Sequence, residues 1–189
     1  MRKLSVVCVL AYVLHLTSAW TDYLTFDSCS IYSIHNVNND KSYVVNWNGA
    51  HIDTFSCKIG FHGFDYDNPL DEYKVCITAT TWDLKNSHIY MKYWTGLNDE
   101  LKKMYSQNSY DSPTTEWCAE PGDYVDVELF TSPDGFDQGQ ITISVTAERT
   151  YNYGATVGAI VGGVIGGLAL MFIVVTAVII VACRRKRSP

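Results

Sequence analysis

The chain has 189 residues, 47% of them hydrophobic, with 14 basic and 20 acidic side chains and a net charge of −6. The amino-terminal stretch carries +2 and the carboxyl-terminal tail +4, which leaves −12 on Trp20–Tyr153, 8 basic side chains against 20 acidic. So acidic a segment repels phosphate, which excludes a nucleic-acid surface and disfavours peripheral attachment to anionic lipid.

The chain begins MRKLSVVCVLAYVLHLTSAW. Arg2 and Lys3 precede an apolar run from Leu4 to Leu16, and Thr17-Ser18-Ala19 supplies small residues. That is the pattern of a secretory signal peptide, residues 1–19, with cleavage expected after Ala19. The part that follows is long enough for one domain with its own core and not two.

From there the patterning is β. Ser42–Asn48 alternates, with Tyr43, Val45 and Trp47 on one side, and Tyr73, Val75, Ile77 and Ala79 alternate with Lys74, Cys76, Thr78 and Thr80. Ile89, Met91 and Tyr93 follow, then Val125, Val127 and Leu129, and finally Ile141, Ile143, Val145 and Ala147. A period of two predicts half-buried antiparallel strands with one face on a core. Turn-forming stretches NNDK, DNP, EPGD and SPDG separate them. Leu97–Tyr105 is the one stretch expected to form a short helix. Many short strands at this spacing predict an all-β, disulfide-stabilised antiparallel β-sandwich over residues 20–147.

Four cysteines fall in this segment: Cys29, Cys57, Cys76 and Cys118. An even number in an oxidising compartment reads as two disulfides, and no C-x-x-C or close Cys/His pair points to zinc. Cys57 and Cys76 flank a Gly/Asp/Asn/Pro loop between two strand-like runs. This favours Cys57–Cys76 with Cys29–Cys118; Cys29–Cys57 with Cys76–Cys118 is the competing pairing.

The stretch Cys29–Ala147 resembles a divergent CUB-type domain, a jelly-roll sandwich of extracellular proteins. The resemblance rests on VDVELFTSPDGFDQGQITISVTA, where Phe130, Ser132 and Asp134 precede a glycine-containing turn and a last alternating strand. It departs in the long Cys76–Cys118 spacing and in the lack of an early tyrosine-proline motif. An immunoglobulin-like sandwich is the alternative. Some CUB domains bind calcium through loop acids. The resemblance therefore implies Asp134 as a calcium candidate, beside Asp65, Asp67 and Asp137 in acidic loops; without EF-hand spacing these read first as solvated loop residues.

No enzyme signature is present, and His35, His51, His62 and His88 are scattered singly. Aromatic residues are abundant, and such residues suit strands and interfaces. In HIYMKYW, Tyr90 and Trp94 share one strand face while Met91 and Tyr93 share the other. One face belongs to the core, which makes Tyr90 and Trp94 candidate ligand contacts.

After a tether at 148–156, residues 157–182 carry no charge and no proline. As a helix they rise about 39 Å, enough to span a bilayer with tilt. Arg184, Arg185, Lys186 and Arg187 then place the tail, 183–189, in the cytosol. Gly154, Gly158, Gly162 and Gly166 recur every four residues, a stripe for close helix–helix packing in lipid. Cys183 at the inner membrane face is a candidate for lipidation. The expectation is a single-pass plasma-membrane protein, amino terminus outside, that binds an extracellular protein or glycan ligand and self-associates through its helix. It is expected to need no cofactor unless calcium binds. The alternatives are a surface-coat protein without a specific ligand and, less favoured, an extracellular enzyme lacking known motifs.

Overall fold

The computed structural model describes residues 19–26, 32–52, 56–85, 88–96, 98–131 and 139–186, with side chains described as far as residue 180. The expected signal peptide up to residue 18, Cys29, Asp134, Asp137 and Arg187 lie outside the described residues. The chain divides into two units, Met1–Tyr151 and Asn152–Pro189.

The first unit holds ten strands: β1 Trp20–Thr25, β2 Ile34–Val37, β3 Lys41–Trp47, β4 Ser56–Gly63, β5 Glu72–Leu84, β6 Tyr90–Thr95, β7 Glu100–Ser106, β8 Trp117–Cys118, β9 Tyr124–Phe130 and β10 Gly139–Tyr151. They form two five-stranded sheets, β1-β3-β10-β5-β8 (sheet A) and β2-β4-β9-β6-β7 (sheet B). The alternating residues expected inside are inside. Tyr43, Val45, Trp47, Val75, Ile77, Met91, Tyr93, Val127, Leu129, Ile141, Ile143 and Val145 form one shared core with residues of both sheets, each at most 2% exposed. Each such aliphatic side chain contributes about 1.5–3 kcal/mol by leaving water, so the core accounts for the sandwich-like packing.

The chain changes sheet at nearly every connection. Only β6 and β7 are consecutive and paired in one sheet. This corrects three expectations. The sheets are mixed and not purely antiparallel: β1 pairs parallel with β3, and β2 with β4, because each return to a sheet skips the strand laid in the other. Cys57 does not pair with Cys76, because the Cys76 sulfur is bonded to Cys118. Cys76 instead faces Cys118 directly across β5 and β8, Cα–Cα 4.0 Å, and the two are disulfide-bonded. The flanking backbone bond from Ala119 to Val75 makes this a non-hydrogen-bonded pair, the closest approach in an antiparallel ladder. Cys57 is also disulfide-bonded, while the Cys29 half of either pairing lies outside the described residues.

Third, the short helix expected at Leu97–Tyr105 is replaced by β7. Tyr105 is buried and packs edge-on against Tyr93 at 5.2 Å, so tertiary packing overrides a weak local preference. Glu100, Lys102 and Lys103 charge this edge strand, which discourages further pairing.

The stretch expected as a tether is also regular. Glu148 and Arg149 continue β10 against Lys74 and Tyr73, and the strand ends at Tyr151. The second unit is helix α1, Tyr153–Lys186. Asn152 caps it by accepting the Ala155 N–H at 2.8 Å. Residues Tyr153–Ile180 are long and apolar enough to cross a membrane. The hydroxyl of Thr176 donates to the Phe172 carbonyl, so this polar group is satisfied within the helix.

Candidate binding surface

The outward face of sheet B carries a dense set of aromatic and charged side chains. Strands β4, β9 and β6 align them in rows: Lys58–Glu128–Lys92, Gly60–Asp126–Trp94 and Ser56–Phe130–Tyr90. The Lys58 ammonium lies 2.8 Å from Asp126 and 2.8 Å from Asp99. Tyr32 donates to the other Asp126 oxygen at 2.7 Å. Burial works against the Lys58 charge, but the bonds to Asp126 and Asp99 outweigh it and raise its pKa. Burial, then the bond to Asp126, pushes the Tyr32 hydroxyl up to about 12. Gly60 makes room for this cluster: a Cβ there would stand 2.7 Å from the Tyr32 oxygen and 2.9 Å from Asp126.

Tyr90 and Trp94 sit on this outer face as expected from alternation, opposite buried Met91 and Tyr93. Trp94 is part of the network: its indole N–H donates to Glu128 at 2.9 Å, and Lys58 and Lys92 lie 5.9 and 5.7 Å from its ring. Lys92 also stands 4.1 Å above Phe130. Lattices of this kind fix side-chain positions before any partner arrives.

An aromatic row leads from this face to its edge. His62 stacks on Tyr124 at 4.1 Å and beside Phe64 at 5.7 Å, and Phe64 meets Tyr66 edge-on at 5.1 Å. Burial lowers the pKa of His62 and, with Lys41 nearby, that of His35, so both rings are neutral at neutral pH.

At that edge lies a cleft of about 540 Å³ between β1 and β3 on one side and β2 and the 64–67 loop on the other. Trp20 and Tyr66 flank it, 61% and 79% exposed. Asn36, Asn38, Asp40 and Asp67 contribute polar atoms to its wall. Two of the calcium candidates fall here. Asp65 spends both carboxylate oxygens inside its own loop, accepting from the Asp67 N–H, Asn68 and Tyr73. Burial pushes its carboxyl up, but those hydrogen bonds outweigh it and hold the pKa down. Asp65 therefore shapes the turn. Elsewhere, Cys76, Glu116 and Cys118 have ligand-type atoms close together, but both sulfurs are committed to the disulfide.

Strand alternation in the sequence places Tyr90 and Trp94 on the outer face, where the structure has them. It does not reveal the Lys58–Asp126–Tyr32 cluster or the cleft, whose members are far apart in sequence. The only sequence signal for them is the surplus of aromatics.

The fold and surface define a mostly β, disulfide-bonded, sandwich-like domain followed by one apolar helix. No family model matches the chain, and no curated protein matches it. Among solved structures it is similar to the periplasmic inhibitor PliG of g-type lysozyme from Salmonella Typhimurium, at 9% identity and a TM-score of 0.28 over 60% of this chain and 98% of that one. It is also similar to the pre-peptidase C-terminal domain of a Bacillus anthracis collagenase, at 10% identity and a TM-score of 0.29 over 62% and 95%. PliG from Aeromonas hydrophila matches at 8% identity and a TM-score of 0.29 over 62% and 100%.

Proposed function

We propose that this is a single-pass plasma-membrane protein whose CUB-like sandwich stands outside the cell and binds an extracellular protein or glycan ligand, as an adhesion molecule or co-receptor. The observation that carries the reading is the aromatic and charged lattice on the outer face of sheet B, with the aromatic row that leads from it to a cleft at the sandwich edge. Clefts of several hundred Å³ with a few placed polar groups and exposed aromatics are the usual form of a binding site. The CUB-like reading is supported by two five-stranded sheets and by the closing strands β9 and β10. The membrane reading is supported by α1 and by the basic run after it. The role is binding and not catalysis.

Lateral self-association through α1 belongs to the same reading. A Cβ at Gly158, Gly162 or Gly166 meets nothing within 4 Å, so the stripe is open to a neighbouring helix. Lipidation of Cys183 would hold the tail at the inner leaflet.

The test is saturable binding of the labelled Trp20–Tyr151 fragment to cells. Saturable, competable attachment supports a binder. Abundant lateral clustering with no saturable attachment favours the alternative, a surface-coat protein. Gly158→Ile with Gly162→Ile is expected to abolish self-association in a membrane reporter; unchanged association would remove that part of the proposal.

A further inference from the structure

The cleft at the β1–β2 edge has a chemistry narrower than "protein or glycan". Its two exposed rings are held in place. Tyr66 receives a hydrogen bond from Asn36 at 2.9 Å and is wedged edge-on by Phe64. The backbone of Trp20 is fixed by parallel pairing of β1 with β3, its main-chain N–H bonded to the Asp40 carbonyl at 2.8 Å, and the Lys41 ammonium lies 5.4 Å from its ring. Rings this exposed, at the surface yet positioned, are prepared platforms and not core residues.

The polar atoms around them are equally specific. The carboxylates of Asp40 and Asp67 make no hydrogen bond or ion pair among the described residues. Tyr66 accepts from Asn36, which leaves its own hydroxyl proton to donate onward. Two carboxylates, a directed hydroxyl and the Asn36 and Asn38 amides thus border two flat apolar surfaces.

Charge narrows the ligand further. The cleft holds its own cation, Lys41, 3.2 Å from Asp22, 5.4 Å from the Trp20 ring and 5.0 Å from the Tyr43 ring. A second cation at those rings meets repulsion from it. Anionic ligands meet Asp40, Asp67 and a strongly acidic domain. What remains is an uncharged ligand with an apolar face and many hydroxyls. A pyranose has that form: its C–H face lies on an aromatic ring, and its vicinal hydroxyls donate to carboxylates and exchange hydrogen bonds with amides.

We infer that the cleft between β1 and the 64–67 loop is a binding site for a neutral oligosaccharide, with Trp20 and Tyr66 as stacking platforms and Asp40 and Asp67 as hydroxyl acceptors. This rests on the recognition role proposed above and names its ligand class.

The test uses the full chain in lipid nanodiscs. The probes are neutral oligosaccharides ending in galactose, mannose or N-acetylglucosamine, on a protein carrier and as glycolipids in uncharged vesicles, with sialylated glycans, sulfated glycans and a lysine-rich peptide as further arms. Binding to a neutral arm, weakened at least about tenfold (about 1.4 kcal/mol) by Trp20→Ala and by Tyr66→Ala but unchanged by Tyr110→Ala, a fully exposed tyrosine that does not line the cleft, is the expected result. The two carriers report whether a glycoprotein or a glycolipid supplies the sugar. Asp67→Asn, at an exposed loop position, is expected to weaken binding without altering the thermal midpoint, which separates loss of the site from loss of the fold. Binding confined to the anionic or cationic arms, or neutral binding indifferent to Trp20 and Tyr66, overturns the inference. Saturable attachment to cells that survives enzymatic removal of their glycans also overturns it, while leaving the recognition role standing.

Discussion

Sheet A and sheet B bury the same kind of inner face and present different outer ones. The outer face of sheet A is mostly small and polar at its centre, with Ser42, Asn46, Thr78, Thr142 and Ser144, and carries Tyr23 and the Lys74–Glu148 ion pair toward its margins. The small polar residues bond to one another, as in Thr142 to Asn46 at 2.9 Å and Thr21 to Ser42 at 2.9 Å. Its one strong tie is covalent, the Cys76–Cys118 bond to the short edge strand β8. Sheet B is held on its outer face by charge and aromatic contact centred on Asp126. A face that only needs to be wet is satisfied by serine and threonine. A face that carries half-buried lysine, tryptophan and tyrosine incurs desolvation and recovers it through mutual contacts.

The comparison can be broken at either side. Removing the covalent tie with Cys76→Ser and Cys118→Ser together is expected to cost the most. Cross-linking residues 42 apart in sequence is worth about 4 kcal/mol by chain entropy, read by denaturant unfolding without reductant. On sheet B, Asp126→Ala removes the partner of both Lys58 and Tyr32, at an expected cost of about 2 kcal/mol. The Tyr32 hydroxyl should then fall back from about 12 toward its ordinary value, seen in an ultraviolet tyrosine titration. An unchanged titration, or no coupling in a double-mutant cycle with Lys58→Met, would show that the cluster is not what holds this face.

Gly60→Ala tests the same cluster by geometry, since its methyl group displaces the Tyr32–Asp126 contact. The expected loss is about 1 kcal/mol. Acid gives a smaller effect. The pKa values of His35 and His62 are lowered on folding, so the unfolded chain takes up protons first. Stability from this source is complete above the ordinary histidine pKa and falls as pH drops below it, through the folded values. Unfolding measured at pH 7.5 and 5.5 should show a decline that is smaller in His62→Gln. Smallest of all, Ser144→Ala on the outer face of sheet A should change stability by no more than about 0.5 kcal/mol. A larger loss there would erase the distinction between the two faces.

Much of the fold was legible because strand alternation is local. Val125, Val127 and Leu129 alternate with Asp126, Glu128 and Phe130, and that pattern alone assigns each residue to the inner or the outer face of the sheet. The same holds for Tyr90 and Trp94. The sandwich edge was not legible: β1, β2 and the 64–67 loop carry weak alternation, and their meeting depends on which strands pair. The segment at Leu97–Tyr105 misled for the same reason, since only Tyr93 across the strand pair makes Tyr105 a strand residue.

The sequence by itself determined which residues face inward, that the domain needs disulfides, and that an apolar helix follows it, because period, cysteine count and hydropathy are properties of short stretches. Tertiary structure alone decided the rest: the chain's crossing between sheets, the parallel edges, Cys118 as the partner of Cys76, and the meeting of Lys58, Asp126 and Tyr32. Those depend on contacts between residues 42 or 94 positions apart, and a local pattern says which side of a strand a residue occupies but not which strand lies beside it.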